Sequence, residues 1–269
     1  MVLLDPDAHR DVHACGFLGE QFARRKGKQA DSSVAGAYST LGLAGENTLV
    51  ELFGTTMPGP VSLVGGLVFS FEVPGSAIEA QRLLADEANL PSHHELVYRA
   101  VDGTEDRQPW YHLLSADLGA GSPLVLFLNE VTPEYFAALG ANPGPDGELR
   151  RREYLTAALG GPPSEEHLLR DITGVTVRLR PDRADRIGRA LATLGFHREK
   201  QAGAAVVTGS GVAITLVAEE SAPEGVTAID LALSKAPEHP TTLRFGATSE
   251  LELTGDATAR WTFTPVSGS

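Results

Sequence analysis

Three times in this chain a short run of strand-forming residues meets a break containing proline and then an amphipathic helical stretch. The copies are VLLDPDAHRDVHACGFLGEQF, GLVFSFEVPGSAIEAQRLLADEAN and GVTVRLRPDRADRIGRALATLGF. This recurrence constrains the fold more than any single motif, because an amphipathic helix next to a strand must bury its stripe on a sheet. In 76–88, Ile78 and the pair Leu83 and Leu84 fall at helical spacing, with Ser76 as the expected N-cap. In 182–194, Ile187, Leu191 and Leu194 form the stripe; Asp182 after Pro181 is the expected cap and Gly195 the stop.

Further strand candidates follow each helix. The first unit offers 22–28, 38–43 and 48–53, the second 96–101, 110–115 and 124–128, and the third 204–208, 212–217 and 226–233. The unit is therefore βαβββ, with a period longer than any common solenoid repeat. The expected fold class is α+β: paired βαβββ modules at 1–132 forming one curved, pocket-forming sheet, plus a smaller related α+β domain at 171–265. Between them, ALGANPGPDGELRRREYLTAALGGPPSEEH is rich in Gly and Pro, with one helical piece around 153–159, and 133–170 reads as a linker or strap packed over the first domain. The C-terminal part ends in alternating strands, SELELT and ARWTF, in which Trp261 and Phe263 share a core-facing side. It offers no obvious fourth helix, which argues against a complete second pair of modules.

Charge and cysteine content limit the function classes. Among 269 residues, 35 are acidic and 22 basic, for a net charge of −13. Such a surface disfavours nucleic acid and anionic membrane, and the short clusters Arg24-Arg25-Lys26 and Arg150-Arg151-Arg152 read as solvated faces. One cysteine, Cys15, excludes an intramolecular disulfide framework. MVLLDPDAHRD has no apolar signal core and no run is long enough to span a bilayer, so a cytoplasmic location is expected. The expected partner is a small-molecule ligand or substrate, with no nucleic acid and no membrane; self-association into a homo-oligomer stays open.

Among candidate functional residues, Glu51 leads. In TLVELFG, strand alternation puts Leu49, Glu51 and Phe53 on one face. A carboxylate between two large apolar residues needs a metal, a cation or a proton to offset its burial; the other reading is an open sheet with Glu51 facing water. Glu130, closing LVLFLNE, alternates with Leu126 and Leu128 in the same way. His112 in QPWYHLL alternates with Trp110 and is either a general acid or base in the same cup or a hydrogen-bonded core histidine. His93 and His94 fall in an expected loop, and His9 and His13 on an expected solvated acidic helix face. Cys15 reads as helix packing. GLAGEN and VTGSGVA lack the lysine of a P-loop and the context of a dinucleotide fold, so no nucleotide cofactor is expected.

In order along the chain, VLLDP, GENTLVELFG, LVFSFEVPGS, VLFLNEV, ITGVTVRL and LRFGATSELEL…ARWTF resemble the vicinal oxygen chelate superfamily of glyoxalase-like and bleomycin-resistance-like proteins, in an actinobacterial-type branch. The resemblance implies a cupped sheet with a metal held by a first-strand and a fourth-strand ligand of each module. Glu51 and Glu130 match the two fourth-strand ligands. The first-strand positions fall before Asp5, where the chain begins at Met1, and near Gly65 and Gly66, which offer no side chain. The implied cofactor is thus none, or a divalent metal on Glu51 and Glu130, with Mg²⁺ or Mn²⁺ favoured over Zn²⁺ for an all-oxygen set. The implied function is an enzyme of isomerase, lyase, hydrolase or cyclase type, acting on a small oxygenated metabolite of specialised metabolism. Its cup would hold Glu51, Glu130 and His112 as catalytic groups, with Tyr38, Leu49, Phe53, Trp110 and Leu128 around the substrate. The alternative is a non-catalytic protein that binds or sequesters a small molecule.

Overall fold

The computed structural model describes residues 1–32, 36–54, 63–101 and 106–265, and within them the side chains of 28–32 and 36–39 lie outside the description. The chain is α+β and builds two eight-stranded sheets. The first is a closed barrel of β1 (Val2–Leu3), β2 (Arg24–Ser32), β3 (Gly36–Ala44), β4 (Leu49–Phe53), β5 (Gly65–Phe71), β6 (Ser92–Ala100), β7 (Arg107–Ala116) and β8 (Leu124–Val131). The second is an open sheet of β9 (Leu169–Leu179), β10 (His197–Gln201), β11 (Ala204–Gly209), β12 (Val212–Ala218), β13 (Gly225–Leu233), β14 (Thr241–Phe245), β15 (Ser249–Leu253) and β16 (Thr258–Phe263).

One rule generates both sheets. In each four-strand module the spatial order is first, fourth, third, second, and the first strand runs parallel to the fourth where the pairing is β1 with β4, β5 with β8 and β9 with β12. Parallel neighbours need a crossover, and the proline-started helix supplies it. These crossover helices are α1 (Pro6–Ala14), α2 (Ser76–Asp86) and, after α3 (Pro133–Ala138) and α4 (Arg151–Ala158), α5 (Pro181–Thr193). Modules then join through their first strands, β1 to β5 and β9 to β13, both antiparallel. In the barrel the second strands also meet, through Ser32 and Arg99.

The fourth module, β13 to β16, is complete in strands but has no helix of its own. That corrects the expectation of an incomplete pair: β10 was not foreseen, and 226–233 opens the fourth module instead of closing the third. Helix α1 of the first module covers both sheets. Its Ala8 and Val12 are fully buried, sharing one core with Leu41, Leu43 and Leu52 of the barrel and with Phe245, Leu251 and Trp261 of the last strands. A π-helical turn, Leu18–Phe22, follows α1 and sets the Phe22 ring edge-on to Trp261 at 6.4 Å. Asp11 accepts the Gly246 amide at 2.9 Å, and Asp5 accepts the Thr248 hydroxyl. Gly246 stands at φ +55 with Ala8 so near that a Cβ would lie 2.8 Å from its nitrogen, so only glycine suits both the backbone and the approach.

Helix ends differ from the sequence reading in two places. α2 is capped by Gly75 in the left-handed region without help from Ser76, and α5 starts at Pro181 with Arg180 as its N-cap, not Asp182. α5 is tied to the second module by Arg189 donating to the Ala88 carbonyl at 2.6 Å and by Arg183 donating to that of Ala120 at 2.9 Å. Arg183 is also ion-paired with the equally buried Glu224. Among the described residues no helix is long and apolar enough to cross a membrane.

Candidate functional site

A cavity of about 870 Å³ has walls from both sheets and from the segment between them. Strand alternation sorts its lining. On β4, Val50 and Leu52 point outward into the core with α1, so Leu49, Glu51 and Phe53 point into the barrel. On β8, Leu124, Leu126 and Leu128 point outward, so Phe127, Asn129 and Val131 point inward. Val68 and Ser70 pair with Phe127 and Asn129 on the same inner wall. On β7 the register slips between Val97 and Tyr98, which makes Trp110 an extra, bulged residue. Trp110 therefore joins Tyr111 and Leu113 around the cavity, and a bulge re-aims a side chain in this way.

The segment between the sheets closes one end. α3 and α4 pack Tyr135 and Tyr154 against Trp110, Leu113, Phe127 and Val131. α4 is held from several sides. The Glu72 carboxylate accepts the Arg151 amide at 2.7 Å, capping the helix, while the Glu72 carbonyl accepts the Leu149 amide at 2.6 Å. Arg152 pairs with Glu46, Lys26 donates to the Ala158 carbonyl, and Arg24 donates to that of Gly161 at 2.7 Å.

This clamping delivers the Arg151 and Tyr154 side chains to the cavity, with the guanidinium 5.1 Å from the Tyr154 ring centre. Burial pulls the Arg151 pKa below its ordinary value, and the nearby Tyr154, Glu51 and Glu72 oppose that pull; a guanidinium stays cationic throughout. Burial, and then the charge of Glu51, push the Tyr111 phenol far up, so Tyr111 is a neutral hydrogen-bond donor. Glu51 accepts a hydrogen bond from the Thr40 hydroxyl at 3.1 Å. A carboxylate, a guanidinium, two phenols and the Asn129 amide thus share one partly apolar cavity.

The sequence-predicted residues divide between the two faces of the barrel. Glu51, Leu49, Phe53 and Trp110 line the cavity. Leu128 touches it from the outer wall, beside the second sheet. Tyr38 lies among the side chains outside the description. Glu130 and His112 do not converge with Glu51. They are cross-strand neighbours on the outward face, where Glu130 accepts the Gly75 amide at 2.8 Å and the Ala77 amide at 2.9 Å, capping α2. His112 stacks on His94, with 3.2 Å between Nδ1 and Nε2. His93 and His94 belong to β6, not to a loop.

The residues present do not fit the metal that the fold resemblance implies. Both Glu130 oxygens serve a helix end on the wrong face. A side chain at Gly66 would put its Cβ 2.4 Å from the Val125 carbonyl oxygen, so that strand position admits no ligand. The charge of Glu51 reaches the cation Arg151 on the same cavity wall, and that cation repels a metal ion. Among the described residues no three His, Cys, Asp or Glu side chains group as a metal site.

The remaining candidates lie elsewhere. His9 and His13 are half-buried with rings 4.4 Å apart, not on a solvated face, and burial lowers both pKa values. A Cβ at Gly54 would meet the His9 ring at 2.5 Å. Cys15 is a free thiol packed at the edge of the core. Sequence reasoning missed Tyr111, Asn129, Arg151 and Tyr154. Only the i, i+3 spacing of Arg151 and Tyr154 on a helix, and the alternation of Asn129 with Phe127, carried a signal.

Residues 2–263 match the family described as "Family of unknown function (DUF5829)". No curated protein matches the chain. Among solved structures, a "hypothetical protein" from Staphylococcus aureus is similar with a TM-score of 0.50 at 8% identity, covering 90% of this chain and 92% of that one. At this identity the likeness concerns the fold alone. A "putative dioxygenase" from Bacillus subtilis aligns at 14% identity over 98% of this chain and 84% of that one, with a TM-score of 0.27.

Proposed function

Since the chain belongs to the DUF5829 family, whose function is unknown, its role has to be read from the cavity, and we propose that it is a glyoxalase-like protein that binds a small oxygenated organic molecule inside the barrel. One observation carries this reading: within the cavity of about 870 Å³ that both sheets wall, the barrel side mixes Phe53, Trp110, Leu113 and Phe127 with a few convergent polar groups. Ligand sites are concave, mostly apolar and about 300–1,000 Å³, with a small number of placed polar groups. The reading needs no metal.

The test is thermal denaturation of the full chain against a library of small organic molecules. A true ligand at a hundred times its Kd stabilises the fold by roughly 2.7 kcal/mol, which is readily seen as a rise in Tm. Val68→Trp, which fills the barrel from its inner wall, should remove that rise while leaving a cooperative transition. A rise of equal size in Val68→Trp would place the ligand elsewhere and end this reading.

A catalytic version is favoured by the position of Glu51 beside Tyr111 and Arg151. A carboxylate base, a phenol donor and a cation around one ligand are the parts needed for proton abstraction next to an oxygen function and for stabilising the resulting oxyanion. Turnover of the bound molecule should then vanish in Glu51→Gln while some binding survives. Binding without turnover in the unaltered protein leaves the sequestration role.

A further inference from the structure

Five polar side chains of the barrel cavity, those of Ser70, Tyr111, Asn129, Arg151 and Tyr154, make no hydrogen bond among the described residues, and Arg151 has no ion pair there. These groups are not on the outer surface: each is partly buried and lines the cavity. Arg151 is the most costly of them. Taking a guanidinium out of water without a partner is unfavourable, and polar groups in such places ordinarily find one. Its backbone cannot drift to seek one, because the Glu72 carboxylate holds its amide at 2.7 Å.

Glu51 is the obvious counter-ion, and it does not serve. Its charge reaches Arg151, yet the two form no ion pair, and the contact Glu51 does make is with the Thr40 hydroxyl at 3.1 Å. A cation and an anion therefore face one cavity and are held apart. A neutral ligand would leave the guanidinium unpaired, while a ligand that is only anionic would meet repulsion from Glu51. A molecule with a carboxylate at one point and a hydrogen-bond donor at another satisfies both.

We propose, building on the small-molecule reading above, that the cavity selects a hydroxy acid. Its carboxylate takes the Arg151 guanidinium, its hydroxyl donates to Glu51, and its apolar or aromatic body lies against Val68, Leu113 and Phe127. Tyr111 and Tyr154, whose phenols line the same space, donate to the remaining oxygens. Arg151 and Glu51 are then the specificity-determining pair.

Isothermal titration of the full chain with matched probes tests this: para-hydroxyphenylacetate, -propionate and -butyrate, the primary amides of the same acids, and the corresponding phenylalkanoates without the hydroxyl. At least one hydroxy acid should bind, and its amide should bind on the order of tenfold or more weakly, as expected when a charge-assisted hydrogen bond is lost. Arg151→Gln should erase the preference for acid over amide, weakening the acid far more than the amide. Glu51→Leu, which leaves no acceptor for the hydroxyl, should erase the preference for the hydroxylated acid over its phenylalkanoate.

The second substitution keeps the test alive if the first disturbs α4, since Glu51 plays no part in holding that helix. Amide and acid binding equally, or either preference surviving its substitution, overturns the proposal, and so does failure of every acid to bind. If neutral molecules from the wider library still bind, the small-molecule reading stands and only the hydroxy-acid assignment falls. If nothing binds, both fall.

Discussion

The barrel and the open sheet follow the same strand order and the same first-strand junction, yet they spend their inner surfaces differently. The barrel closes on itself and keeps a carboxylate, a guanidinium and two phenols in a cavity. The open sheet gives one face to α5 and to the borrowed helix α1, and the residues it turns toward them are Leu216, Leu251 and Trp261, all fully buried. Closure creates an interior that only a ligand or solvent can reach; the open sheet mostly packs a core and adds only apolar wall, such as Val226 and Ile229, to the cavity. Module topology alone therefore does not make a site. What makes this one is the second set of pairings, β2 with β6, together with the segment that carries α3 and α4 over the end.

Three experiments test that contrast. The largest effect is expected from Trp261→Ala. Its ring is fully buried against Phe22 and Phe245, and its indole N–H donates to Ser249 at 2.8 Å. Loss of about 3–5 kcal/mol is expected in urea unfolding. Because the same core includes α1, barrel and open sheet should unfold in one transition; two separated transitions would show that the sheets are independent.

Glu130→Gln should cost less, about 0.5–2 kcal/mol, since the amide can replace only one of the two acceptor oxygens that cap α2. Ligand binding in the barrel should be unchanged per folded molecule. Loss of binding with stability intact would contradict the assignment of Glu130 to the outer wall.

The smallest effect concerns Asp5, which caps α1 through the amides of Asp7 and Ala8 and also accepts from Thr248 of the fourth module. Burial works to raise its pKa, but the Thr248 hydroxyl and the two amides outweigh it, so the folded-state value is lowered. A carboxyl with a depressed pKa in the folded state adds stability above its unfolded value, near pH 4, and loses it as pH falls through the folded value. Asp5→Asn should therefore lower Tm modestly at neutral pH and narrow the gap to the unaltered protein as pH is taken below about 4. A gap constant from pH 7 to pH 2 would mean that the carboxylate charge contributes nothing.

Much of the fold was legible because proline-started helices and strand alternation are local signals. VLLDPDAH announced a strand, a proline break and a helix in that order, TLVELFG placed its strand within a residue, and Glu51 does face the cavity. The site was legible only in part, for two physical reasons. Both faces of a barrel strand are apolar here, one toward helices and one toward the cavity, so the alternation of Glu130 with Leu126 and Leu128 could not say which face was which. The bulge at Trp110 then shifts the phase of β7, separating His112 from the tryptophan beside which it was expected. Arg151 was hidden by its neighbours: three consecutive arginines read as a solvated face until Glu72 and Tyr154 are seen holding the second of them.

That a helix near the start completes a sheet made near the end has a consequence for biosynthesis. The Gly246 amide that bonds Asp11 is translated 235 residues after it. At about 5–20 residues per second, α1 waits roughly ten seconds to most of a minute for its second partner surface. Through that interval Ala8 and Val12 can be covered by the nascent barrel, but Leu18 and Phe22 have no Trp261 to meet. The emerging chain therefore carries an apolar, half-covered helix until the last strands arrive.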